Sequence, residues 1–366
     1  MTNPLPALSS LRKALSARRG RSRLEARLAL PLTLVPWLAA ALAVGLSASS
    51  PDLARTYALY PLLVSVAVLG LPHGALDHLV PLRAGLTWAR RPVRLGLYLF
   101  CYAALVGLYL GLWFAAPQVA FVGFLAATVL HWGQGDQRFL EIFLGRRRPT
   151  RWGAWVTVVV RGGLPIVVPV LAFPETVASF YHHAALGLGL TPLATSPTTP
   201  GFTLIVLVGV ALVAYAVNAV RAAPNAAVLA VDLLEVGLLT ALFTLVPAYL
   251  AIGVYFTLWH SLRHLARLLT FSAGARPPIG EKLLAQVGRL ALELLPITLL
   301  ALALLGGLYL LSAARVATLE GFIALYLVLI SALTVPHALV VALMDVWVLP
   351  EAEIRTDAEP DRKLGK

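Results

Sequence analysis

Hydrophobic residues along this chain do not recur at a steady amphipathic spacing. They gather into runs of about 20 residues, the length needed to cross ~30 Å of hydrocarbon, and short polar stretches separate them. The pattern predicts membrane helices, because a backbone in lipid must satisfy its own polar groups. Short alternating segments of the kind that build a membrane barrel are absent from the sequence. The runs predict about ten spans, at 28–48, 54–74, 94–115, 118–140, 153–173, 202–221, 226–246, 248–270, 286–311 and 318–343.

The polar stretches alternate in charge. Arg12, Lys13, Arg18, Arg19, Arg21, Arg23 and Arg27 precede the first span; Arg83, Arg90, Arg91 and Arg94 follow the second. Arg146, Arg147, Arg148 and Arg151 follow the fourth, Arg221 the sixth, and Arg276 with Lys282 the eighth. The intervening stretches, including the one from Phe173 to Gly201, carry few basic residues, with Arg315 as a mild exception. Basic residues collect on the cytoplasmic side, so both termini are expected there, in a multi-pass protein of the cell (plasma) membrane. The first run is too long for a signal-peptide core and reads as a retained helix.

Composition agrees: the 366 residues are 59% hydrophobic and 13% charged, against roughly 25% charged in soluble domains. The net charge of +12 is explained by these topological clusters and does not imply nucleic acid. The expected organisation is a basic cytoplasmic segment over 1–27, one all-α polytopic bundle over 28–345, and a charged tail over 346–366, expected to be disordered from Glu351 onward. The Gly-, Pro- and Thr-rich stretch 187–201 reads as a loop. A single cysteine, Cys101, excludes internal disulfides, Cys₄ zinc and iron–sulfur clusters.

The candidate chemistry lies in the histidines. Of eight, six sit in or at the ends of apolar runs: His73, His78, His131, His260, His264 and His337. Ionisable groups inside a membrane are costly and mark functional sites, and neutral imidazole is the commonest transition-metal ligand. His73, His131, the His260/His264 pair and His337 fall on spans two, four, eight and ten, all running outer to inner. Each lies roughly 13–20 residues from its span's outer end, a similar depth at ~1.5 Å per residue. His260 and His264, at i and i+4, share a helix face, about 5–6 Å apart at Cβ. Pro72 and Gly74 break the helix around His73, and Asp77 is placed to take its second ring proton. Asp136 is a similar candidate behind His131, and His78 and His337 are placed around the ligands. His182 and His183 read as interfacial. An all-imidazole site suits iron, zinc, copper or nickel.

The stretches Gly70-Leu71-Pro72-His73-Gly74-Ala75-Leu76-Asp77-His78, His131-Trp132-Gly133 and Trp259-His260-Ser261-Leu262-Arg263-His264 resemble the Brp/Blh family of bacteriorhodopsin-related β-carotene 15,15′-dioxygenases. Order and spacing match over about 54–345, most of the chain. The resemblance implies cleavage of the central C15=C15′ bond of β-carotene by O₂ to two molecules of retinal. It implies non-haem Fe(II) held by His73, His131, His260 and His264, inside the membrane. The substrates would be β-carotene and O₂, taken up in the lipid bilayer, with a retinal-binding rhodopsin as product acceptor. Trp132, Tyr255, Phe256 and Trp259, beside the histidines, are the expected walls of the substrate tunnel. The alternative from another class is a metal-ion transporter using intramembrane His and Asp residues, with Asp232, Glu235 and Asp345 on its path. Asp232 and Glu235 could instead pair with Arg161.

Overall fold

The computed structural model describes residues 23–147, 150–191, 202–271 and 283–347. The basic residues before Arg23, Arg148, Arg276, Lys282, most of the loop read at 187–201 and the tail beyond Trp347 lie outside these. Every regular element among the described residues is helical. In chain order they are α1 (Arg23–Ser49), a broken segment α2 (Pro51–Arg83), α3 (Pro92–Ala115), α4 (Pro117–Phe143), α5 (Arg151–Ala172) and α6 (Pro174–Gly187). Then come α7 (Phe202–Ala222), α8 (Ala226–Leu245), α9, α10 (Leu283–Ser312) and α11 (Leu319–Trp347). Helix α9 runs through Ala248–Val254, a widened π turn at Tyr255–Ser261, and Leu262–Thr270.

Local chemistry sets the boundaries. Proline opens α3, α4 and α6 at the first turn, where its missing N–H is not needed. Thr150 and Asn225 cap α5 and α8 by accepting from Gly153 N (3.2 Å) and Val228 N (3.0 Å). Helix α6 was not expected, since the Phe173–Gly201 stretch reads as a loop. It forms because Tyr181, Ala184 and Ala185, at helical spacing, bury one stripe, with Ala184 packed beside Ala324 and Val328 of α11.

Eight helices among the described residues are long and apolar enough to cross a membrane. The two expected spans outside that set are α4 and α9. Both carry buried polar residues that dilute their hydropathy: His131 and Asp136 on α4, and His260, Arg263, His264 and Arg267 on α9. These are the helices on which the interior of the bundle is organised.

Two close approaches hold them. A Cβ on Gly133 of α4 would fall on the Val158 carbonyl of α5, and one on Gly162 of α5 would fall on the Val129 carbonyl of α4. The glycines therefore let the two backbones touch, as small residues do between membrane helices. On α9, a Cβ at Gly253 would meet the Leu62 backbone nitrogen at 2.5 Å, so α9 is also pressed against the α2 backbone.

Behind these contacts lies a buried ionic hub. Arg161 of α5, wholly buried, donates to Asp136 Oδ2 (3.0 Å), Asp232 Oδ1 (3.2 Å) and Glu235. Arg263 of α9 donates to Asp136 Oδ1 (3.1 Å) and Glu235, and its guanidinium lies 3.7 Å from the centre of the Phe139 ring. Trp37 Nε1 reaches Glu235 at 3.3 Å, Trp259 Nε1 reaches Asp136 at 3.3 Å, and Tyr215 donates to Asp232. Arg146 faces Asp232 at 3.5 Å. One set of bonds thus ties together α1, α4, α5, α7, α8 and α9. Nearby, Asp345 of α11 receives Arg267, Arg138 (3.1 Å) and Gln134 (2.8 Å).

Removing one member of a buried charge set strands its partners, at about 3–5 kcal/mol. Arg161→Leu is therefore expected to lower the thermal unfolding midpoint of the detergent-solubilised protein sharply, or to prevent its accumulation. Gly162→Val is expected to cost at least ~1–3 kcal/mol through overpacking. Gly107→Ala, where an added Cβ meets nothing within 4 Å, is expected to leave the unfolding midpoint unchanged or slightly raised. Fluorescence-monitored unfolding of the three variants checks all three expectations.

Candidate metal centre

The site begins at the break in α2. Pro72 removes a backbone donor and Gly74 loosens the chain, so Pro72–Gly74 and Asp77–Leu79 form two tight 3₁₀ turns in place of a continuous helix. His73 projects inward from the first turn, 7% exposed. Its Nδ1 donates to the Gly70 carbonyl, which leaves Nε2 as the free lone pair. His131 comes from α4, His260 and His264 from α9, and His337 from α11.

The five rings crowd together. Ring centres lie 4.9 Å apart for His73 and His337, 4.7 Å for His131 and His337, and 4.9 Å for His131 and His260. His264 stands 5.2 Å from His337 and 5.7 Å from His73. One ligand nitrogen from each of His73, His131 and His337 lies within 4.8 Å of the others. His131 Nδ1 and Nε2, and the Nε2 atoms of His260, His264 and His337, are buried with no hydrogen-bond partner. An orphaned buried polar atom is costly, and the nitrogens of His73, His131 and His337 are close enough to share one cation; His260 and His264 stand beside that set and outside it. Imidazole nitrogens with no thiolate among them fit a first-row transition metal.

The surroundings differ in part from the sequence reading. Asp77 does not reach His73. The 3₁₀ turns replace the helical i, i+4 geometry, and the carboxylate accepts instead from His337 Nδ1, at 2.8 and 3.0 Å. Asp136 touches no histidine among the described residues; it belongs to the arginine hub. Its distance from His131, five residues along α4, turns it to a different face. His78 is half-buried and donates Nδ1 to the Ala75 carbonyl at 2.9 Å. His182 and His183 lie on α6, away from the cluster, with His183 bonded to Ser179.

One apolar cavity of about 430 Å³ opens against the cluster, with His73, His78, His131 and His337 in its wall. Phe121, Phe124, Phe180, Val106, Ile297 and Leu300 also line it. Of the expected tunnel walls, Trp132 and Phe256 line it. Tyr255 and Trp259 do not: they stack on each other at 6.2 Å, on the α9 face turned to the arginine hub. Phe256 and His260 share the opposite face, stacked at 6.1 Å. Leu99, Leu300 and Leu304 line the cavity and are also 42%, 55% and 54% exposed. The cavity therefore communicates with the outer apolar surface between α3 and α10.

Sequence reading passed over Tyr98 and Tyr102. Tyr102 Oη donates to Asp77 Oδ2 at 2.9 Å, and Tyr98 Oη to the Asp77 carbonyl at 2.8 Å. Their i, i+4 spacing within an otherwise apolar α3 was the available signal.

A probable beta-carotene 15,15′-dioxygenase Blh of Halobacterium salinarum is 37% identical over 333 residues, covering 88% of this chain and 95% of that protein. A probable beta-carotene 15,15′-dioxygenase Brp of the same species is 32% identical over 242 residues, 63% of this chain and 64% of its own length. No solved structure matches the chain. The family described as Beta-carotene 15,15′-dioxygenase matches residues 64–345, a stretch that includes every histidine of the cluster, and the chain belongs to that family.

Proposed function

We propose that this protein cleaves the central C15=C15′ double bond of β-carotene with O₂, giving two molecules of all-trans-retinal. The observation that carries the reading is the meeting of an unpartnered imidazole cluster with an apolar cavity that opens toward lipid. The relatives' names supply the substrate. The reaction balances without an outside reductant: one C=C bond is lost, two C=O bonds form, and each half of the polyene takes one oxygen atom of O₂.

In this reading His73, His131, His260 and His264 hold Fe(II), within the membrane, in a bundle of ten spans over 28–345 with both termini cytoplasmic. Bound there, Fe(II) would supply the redox chemistry that lets O₂ react with a closed-shell polyene. The chain's own work is positioning. The apolar walls replace lipid around the polyene and exclude water, so desolvation costs little. Phe256 stands edge-on to His73, 5.4 Å between ring centres, and Trp132 lies 5.6 Å from His260. These rings flank the histidines and limit which part of a long rod can lie against them. The gap between α3 and α10 gives β-carotene a lateral route from the bilayer of the cell membrane, and retinal a route back to a rhodopsin there. No side chain is assigned as acid, base or covalent nucleophile.

The transporter alternative needs titratable acids along an open path. Asp232, Glu235 and Asp345 are instead bound to arginines, which argues against ion passage through them.

Expression in a β-carotene-accumulating bacterial host tests the reading. The wild type is expected to convert β-carotene to retinal, with no unequal cleavage products, by chromatography of membrane extracts. His260→Ala, inserted at the wild-type level, is expected to fall to background. Leu300→Trp, which narrows the opening, is expected to raise the apparent KM several-fold with little change in kcat. Intact β-carotene beside correctly inserted wild-type protein would overturn the assignment.

A further inference from the structure

Six carboxylates are buried among the described residues: Asp77, Asp136, Glu141, Asp232, Glu235 and Asp345. Arginine faces five of them: Arg161 and Arg263 on Asp136 and Glu235, Arg138 on Glu141, Arg161 and Arg146 on Asp232, and Arg267 on Asp345. Asp77 is the exception. It is 5% exposed, and its hydrogen-bond partners are His337 Nδ1 and the Tyr102 hydroxyl. An anion in an apolar interior needs a compensating positive charge, and no arginine or lysine supplies it here among the described residues.

The histidine end of the pair shows where the charge belongs. His337 Nδ1 donates to the carboxylate, while its Nε2 is buried with no partner. A doubly protonated ring would leave an N–H at Nε2 with no acceptor. A singly protonated ring instead turns a lone pair into the cluster, where ligand nitrogens of His73 and His131 lie within 4.8 Å. A cation bound at Nε2 satisfies that lone pair and neutralises Asp77 through the ring. Carboxylate, imidazole and metal in this order fix the tautomer and raise the ligand's basicity.

We propose that His337 is a ligand of the metal in this site, and that Asp77, steadied by Tyr102, is the residue that positions it. The proposal rests on the reading of the cluster as a metal site and adds a fifth imidazole to the four matched by the sequence motifs. The broken course of α2 makes it possible: the 3₁₀ turns carry Asp77 past His73 toward α11, and Gly74 lies under the His337 ring, 3.5 Å from Nδ1 to the nearest position a Cβ would take. Tyr102 then ties α3 to the same carboxylate. Three helices thereby converge behind one ligand.

The test is metal binding by the purified full-length protein, with activity as a separate readout. Iron per chain is measured by mass spectrometry after titration with Fe(II), alongside the electron paramagnetic resonance spectrum of the ferrous–nitrosyl form. His337→Ala and the closer-sized His337→Gln are expected to weaken iron affinity by at least ~10-fold and to change the nitrosyl spectrum. Asp77→Asn is expected to weaken it ~10–100-fold, with partial recovery in Asp77→Glu. His182→Ala, at an exposed position of α6, is expected to bind iron as the wild type does. Unfolding midpoints of the metal-free proteins separate lost ligation from lost folding: the expected result is variants matching the wild type without metal and falling below it with metal. Both His337 variants retaining wild-type affinity and spectrum would overturn the proposal while leaving retinal formation untouched. A wild type that binds no iron, zinc or copper would overturn the metal reading and this proposal with it.

Discussion

Charge placed inside an apolar bundle must be answered by charge, and the interior of this protein follows from that requirement. Each of the buried arginines Arg146, Arg161, Arg263 and Arg267 faces a carboxylate. The idealised cost of moving one such ion into a low-dielectric medium is ~20 kcal/mol, and several kcal/mol remain after relaxation. The helices carrying the partners must therefore come together in one arrangement. Arg161 alone fixes α5 against α4 and α8, and Arg263 brings α9 to the same point. Such a hub supplies specificity that the surrounding Leu, Val and Ala do not, since lipid tails are as apolar as they are.

Helices α4 and α9 lie between this hub and the cavity, and their residues divide accordingly. On α4, His131 and Trp132 turn to the cavity while Asp136 turns to the arginines. On α9, Phe256 faces the cavity beside His260, whereas Trp259 and Arg263 close the hub from the other side. The glycine contacts Gly133 with α5 and Gly253 with α2 hold these two helices at backbone distance. An ion-paired half thus stiffens the support of the imidazole half. The imidazole nitrogens are left free against a framework in which the buried acids are already engaged, which is the preorganisation a metal-assisted site requires.

Asp77 stands between the hub and the histidines in its chemistry. It shares the burial of the hub acids but bonds to an imidazole, at the place where the helix of α2 is broken. Irregular backbone away from water is tolerated where protein or a cavity covers it, and here Pro72 and His73 are buried beside the cavity. The apolar reach between α3 and α10 then suits a rod-shaped hydrocarbon better than a hydrated ion. The cavity runs directly up to His73, His131 and His337, so an apolar molecule held in it lies against their rings.

The sequence by itself determined the all-helical membrane architecture, because hydrocarbon thickness imposes run length and hydrocarbon forbids unpaired backbone. It also pointed to the imidazoles in apolar runs, and the structure brings the rings of His73, His131, His260, His264 and His337 together. It identified Asp232 and Glu235 as possible partners of Arg161. Only the tertiary structure decided what depends on contacts between distant segments. Asp77 met His337 across 260 residues because two 3₁₀ turns redirected it. Asp136 went to the arginines, not to a histidine. Trp132 and Phe256 lined the cavity while Tyr255 and Trp259 turned away from it, and the Phe173–Gly201 stretch yielded a packed helix. Helical spacing specifies which side chains share a face. Which neighbour that face meets is set by the packing of the whole bundle.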